Sequence, residues 1–108
     1  MSRKKKLPDD VKKICLALVQ GYEWRRKVAG GDLEQRRLRA VELAAQNIGQ
    51  DLAEHDRQAL VRAIFLSCID GRKYPFERLG VTGMERSCFY ERRAKFLEDI
   101  ARHLEYIS

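Results

Sequence analysis

Arg86, Ser87, Tyr90 and Glu91 are the residues of this chain whose types and spacing best suit a recognition chemistry. Written on a helical repeat, Ser87, Tyr90, Glu91 and Ala94 share one face, with Arg86 at its edge and N-terminal end. An arginine there can pair its planar fork with the O6 and N7 acceptors of a guanine. Serine, tyrosine and glutamate supply further donors and acceptors for base edges. Lys73, Arg92, Arg93 and Lys95 are the candidates for phosphates, and Arg93, near the edge of the apolar stripe, has an internal ion pair as its alternative. Thr82, just upstream, is a candidate contact at the start of the same helix.

Other chemistries find little to stand on. His55 and His103 are the only histidines, and neither has a Cys or His partner at metal-ligand spacing. No phosphate-binding glycine loop, dinucleotide glycine motif or HExxH motif occurs. Scattered Ser, His and Asp residues do not define a triad. The expectation is a protein that is not an enzyme and takes no cofactor and no metal.

The elements that must position these side chains form a corner. Tyr74-Pro75-Phe76-Glu77-Arg78-Leu79 reads as a short helix, with Pro75 suited to a first turn. Leu79 ties it down, Gly80 suits the left-handed stop, and Val81 drops between the helices. Thr82 and Glu85 have the spacing of a capping box for the second helix. Gly83-Met84 leaves a start a few residues later equally open. Phe89, Phe96, Leu97, Ile100 and Leu104 then make one apolar stripe. The layout is that of a helix-turn-helix, whose second helix enters the DNA major groove. Between Arg72 and Leu97 there are seven Lys/Arg against three Asp/Glu, which favours that reading over a plain helical corner.

The runs Ile69-Asp70-Gly71-Arg72-Lys73-Tyr74-Pro75-Phe76, Leu79-Gly80-Val81 and Phe89-Tyr90-Glu91-Arg92-Arg93-Ala94-Lys95-Phe96 resemble small phage and prophage transcriptional regulators. These are the autolysin-regulator and late-gene-activator (ArpU/RinA-like) proteins, whose helix-turn-helix is similar to the promoter-reading region of sigma factors. The resemblance covers about the last 40 residues. It implies sequence-specific binding of double-stranded DNA, control of phage late or lysis genes, and RNA polymerase as a candidate partner. This chain departs from the compact sigma-type pattern in having more residues between Leu79 and Phe89 than a tight turn needs.

The chain has 108 residues and a formal net charge of +6, enough for one domain with a modest core. The charge is uneven, with a net of +6 over residues 1–31, −2 over 32–71 and +2 over 72–108. A basic chain favours nucleic acid through counterion release. Nothing is long and apolar enough to span a bilayer. The basic start is followed by a segment broken by Pro8, Asp9, Asp10, Lys12 and Lys13, unlike a signal peptide. Three widely spaced cysteines point to a reducing, cytoplasmic setting. Cys15 and Cys68 read as small core residues, and Cys88 as a neighbour of the DNA-facing surface.

The expected fold is all-α, a small helical bundle with a C-terminal helix-turn-helix. Residues 1–7 are a basic flexible tail, in which Arg3 to Lys6 is either a DNA arm or a solubilising segment. Residues 8–49 form a helical hairpin and candidate homodimer surface. Its first helix runs from Pro8 to about Val28, with Val11, Ile14, Cys15, Leu18 and Tyr22 at helical spacing, and Gly30-Gly31 ends it. Arg25-Arg26-Lys27 is a basic cluster on that helix, read as a solvated face. Its second helix has an Asp32-x-x-Gln35 capping pattern and a Leu38, Val41, Ala45, Ile48 stripe, with a break at Gly49. Residues 50–108 hold the helix-turn-helix in the same domain. A third helix, about Asp51 to Ile69 and inward at Leu52, Leu60, Ile64 and Cys68, serves as its scaffold, with Phe65 and Phe76 placed to meet. The alternative functions are a phage DNA-packaging accessory of small-terminase type and a helical interaction protein without a DNA role.

Overall fold

Pro8 opens the first helix in extended geometry, and Asp9 and Asp10 place acids at the positive end of its dipole. The structure, a computed structural model, describes residues 7–28 and 30–107. The Arg3 to Lys6 arm lies outside the described residues. Among the described residues five helices follow in order: α1 (Asp9–Gln20), α2 (Tyr22–Val28), α3 (Asp32–Gln46), α4 (Glu54–Ile69) and α5 (Arg86–His103). A single 3-10 turn, Phe76–Arg78, stands between α4 and α5. No strand occurs among the described residues, so the protein is all-α.

The core gathers Cys15, Leu18 and Val19 of α1, Ala40, Val41 and Ala44 of α3, and Leu60, Ala63, Ile64 and Cys68 of α4. Phe89, Phe96, Leu97, Ile100 and Ala101 of α5 complete it. The long closing helix lies chiefly along α3 and α1, while α4 packs on α1. The expected scaffold, α4, thus touches the closing helix less than α3 and α1 do. Small side chains explain the pairing: Ala40 and Ala44 on α3 and Ala101 on α5 are all buried, so the two backbones can approach closely. The radius of gyration, 13.9 Å, is close to the roughly 13 Å expected for one packed unit of this length.

Several sequence expectations shift. The first helix breaks at Gly21 into α1 and α2. There Arg25 folds back over the glycine, reaches the Leu18 carbonyl at 3.4 Å, and pairs with Glu34 of α3 at 3.0 Å. A helical carbonyl is thereby satisfied by a guanidinium instead of the next turn. Ile14 is 38% exposed, and Val19 takes the inward place. Asp32 is the first residue inside α3 and not its cap, which falls on Gly31 without a side-chain bond. The helix expected from Asp51 starts only at Glu54, because Ile48 to Leu52 form turns.

The junction between α3 and α4 is closed by a side chain. Arg57 of α4 donates from Nε to the Ile48 carbonyl and from Nη2 to the Gln46 carbonyl, both at 3.0 Å. Gln46 is the last residue of α3, where carbonyls lack intrahelical donors, and Ile48 lies in the turn that follows. Phe65 does not meet Phe76. Its ring packs on Phe96 at 5.3 Å and on Tyr22 at 5.9 Å, whereas Phe76 packs on Phe89 at 5.4 Å. Both phenylalanines thus find their partner on α5.

Candidate nucleic-acid interface

The connection from α4 to α5 is built to expose charge. Asp70 ends α4, and its Oδ1 accepts from the Arg72 and Lys73 amides at 3.1 and 3.2 Å. That local turn leaves the Arg72 and Lys73 side chains in solvent, with the Lys73 amine 5.5 Å from the Tyr74 ring centroid. The expected short helix is only the Phe76–Arg78 turn. Pro75 is held extended at ψ 159° and Gly80 turns left-handed at φ +69°, so four residues remain between them, enough for one turn. Leu79 and Val81 pack against the core as expected.

Gly83 is also left-handed, at φ +73°, and it delays the helix. The start of α5 falls at Arg86, with Glu85 in the cap position and no side-chain capping bond. The Thr82–Glu85 capping box therefore does not form. Thr82 lies exposed in the loop, four residues before the helix. The first turn of α5 holds no acid, so the carboxylate nearest its positive dipole end in sequence is that of Glu85 at the cap.

From Arg86 onward the candidate residues divide among three directions. Arg86, Ser87 and Glu91 are exposed and Tyr90 is half-buried, all at the N-terminal end of α5. The Arg86 guanidinium lies 5.7 Å from the Tyr90 ring centroid and 3.6 Å from a Glu77 oxygen. Arg92 turns away from this group. Its fork meets Asp51 at 3.0 and 2.8 Å, and the Cys88 thiol also lies within its reach. The Arg92 pair, together with a hydrogen bond to its own backbone, holds the Asp51 carboxyl down at about 2. Arg93 turns inward toward the Cys68 thiol, with Nε buried and unpaired. Among the described residues it makes no ion pair, so the internal pairing considered for it is absent. Lys95 sits 3.7 Å from Asp99, which also takes Arg102 at 2.9 Å.

The structure thus brings Arg86, Ser87, Tyr90 and Glu91 together and sets Thr82 and Lys73 on the adjoining loop. It commits Arg92 to a bridge between elements and turns half-buried Arg93 toward Cys68. Two cations the sequence counted without assigning, Arg72 and Arg78, are exposed on that same loop. Their signal was available: each follows a turn residue or ends a one-turn helix, where a long side chain has nowhere to pack.

Among the described residues no cluster of three or more His, Cys, Asp or Glu could hold a metal ion. No helix among them is long and apolar enough to cross a membrane. Comparison with family models, curated proteins and solved structures gave no match.

Proposed function

We propose that this protein binds double-stranded DNA in a sequence-specific manner and regulates transcription, with the N-terminal half of α5 as its reading element. The observation that carries the reading is exposed Arg86, Ser87 and Glu91 with half-buried Tyr90, at a helix start whose amides receive no side-chain cap. The exposed cations Arg72, Lys73 and Arg78 flank it. A helix start of this kind attracts phosphate through its free amides, while its outward side chains reach base edges. Arg92 and Arg93 are left out of the proposed contacts, because each is engaged within the protein. The resemblance over the last third of the chain favours phage or prophage late or lysis genes as the target and RNA polymerase as a partner. A homodimer would match a two-fold operator.

The test is selection of bound duplexes from a random pool, with wild type and Arg86→Ala run side by side at near-physiological salt. A motif that blurs at one position in the variant is the expected result, at a loss of roughly 1–3 kcal/mol on the selected site. Equal losses on selected and random DNA would defeat the base-reading role of Arg86. Failure of wild type to enrich any motif would defeat the function itself.

A DNA-packaging role is the second reading, and one observation favours it. Trp24, Val28 and Leu33 are 66%, 54% and 57% exposed around the corner between α2 and α3. Apolar side chains of that size left in solvent suit self-assembly. A ring in native mass spectrometry, in place of a monomer or dimer, would move the proposal to packaging.

A further inference from the structure

We infer that Glu77 is a positioning residue for Arg86, which keeps that arginine aimed for a base and withholds it from the phosphate backbone. The inference rests on the DNA-binding reading above and concerns the same surface. One buried ring fixes both braces of Arg86. Phe89 is fully buried, and its ring packs on Phe76 at 5.4 Å and on Tyr90 at 5.2 Å. Phe76 carries the 3-10 turn, so the next residue, Glu77, is held beside the start of α5. Tyr90 stands one helical turn after Arg86, so its ring lies under the guanidinium. Carboxylate on one side and ring on the other narrow the sweep of a side chain that would otherwise move freely.

The chemistry of the pair suits selection more than affinity. Both groups are largely exposed, at 68% and 64%, so the pair adds little to folding. A carboxylate near the guanidinium opposes the approach of a phosphate, which carries the same sign. A guanine edge presents neutral acceptors and meets less opposition, and an arginine fixed in orientation makes the two-pronged contact at a smaller entropic cost. Glu77 therefore weakens random binding more than it weakens binding to the correct base.

The experiment measures affinity of the intact protein for its selected duplex and for a random duplex over a salt series. Wild type, Glu77→Gln, Glu85→Gln, Arg86→Ala and the Glu77→Gln/Arg86→Ala double variant are compared. Glu85→Gln removes the same charge next to Arg86 in sequence, but Glu85 makes no ion pair among the described residues. Glu77→Gln should tighten random binding by about three- to fivefold, the scale of one exposed ion pair. Its salt dependence should steepen by about 0.9 in log–log slope, one added phosphate. The ratio of selected to random affinity should fall with Glu77→Gln and stay constant with Glu85→Gln. In the Arg86→Ala background, Glu77→Gln should no longer change the ratio. Equal behaviour of the two glutamine variants, or a full Glu77 effect without Arg86, overturns the positioning role and leaves the DNA reading standing. Absence of any selected duplex for wild type overturns both.

Discussion

Truncating Phe89 to alanine should remove a large part of the stability of this protein. The ring is fully buried and packs on Phe76 and Tyr90 at 5.4 and 5.2 Å between centroids. Deleting a buried phenylalanine costs about 3–5 kcal/mol through lost transfer energy and the residual cavity. Each ring pair adds about 0.5–1.5 kcal/mol beyond area alone, which places Phe89 near the top of that range. Domains of this size hold roughly 5–15 kcal/mol in total, so the loss is at least about a third of the stability. Phe76→Ala should cost less, about 1–2 kcal/mol, since that ring is only half-buried and its loss frees a one-turn element. Urea unfolding followed by far-UV circular dichroism measures both. The double variant should fall short of additivity by about 0.5–1.5 kcal/mol, the direct ring–ring contribution. A Phe89→Ala cost below about 1 kcal/mol at unchanged m-value, or strict additivity with Phe76→Ala, would refute the anchoring of the loop through this ring.

Other perturbations read other parts of the structure. The Arg92 pair lowers the Asp51 carboxyl to about 2, against about 3.9 in an unfolded chain. A depressed folded value means stabilisation that is complete above about pH 4 and lost as the pH falls toward 2. The stability gap between wild type and Arg92→Gln should close over that window, and an ordinary Asp51 titration by carbon NMR in wild type would contradict it. Burial pushes the Cys15 thiol up to about 11 and raises Cys68 as well, so thiol labelling of the folded protein should modify half-exposed Cys88 first. Three equal labelling rates would refute that order. Arg93→Met removes a buried, unpaired Nε and keeps the aliphatic stem. It should leave stability unchanged or raise it by about 1 kcal/mol, with DNA affinity intact; a parallel loss of affinity on all sequences would return Arg93 to the phosphate contacts.

The helical class and most of the helices were readable because their signals are local. Apolar spacing marks α1, α3, α4 and α5, and Gly49 and Gly80 fall at real breaks. What escaped was decided by long side chains and by tertiary choice. The break at Gly21 depends on Arg25 reaching a carbonyl and a glutamate of another helix, a pairing no spacing rule contains. A capping box at Thr82 was a sound local guess, defeated by the left-handed Gly83 that postpones the helix to Arg86. Within the candidate surface, the exposure of Arg86, Ser87 and Glu91 followed from helical phase. Helical phase alone could not reveal that Asp51 takes Arg92 or that Arg93 turns to Cys68, since both partners lie on other elements.

The Arg57 side chain has a consequence for how the molecule opens. The Gln46 carbonyl that ends α3 and the Ile48 carbonyl of the turn after it both receive a donor from a residue of α4, so the close of α3 loses hydrogen bonds when α4 detaches. Fraying, normally a private matter of each terminus, is here shared. The closing turn of α3 and the opening turn of α4 should exchange their amide hydrogens as one cooperative unit, at a common rate, and Arg57→Ala should split that unit in two.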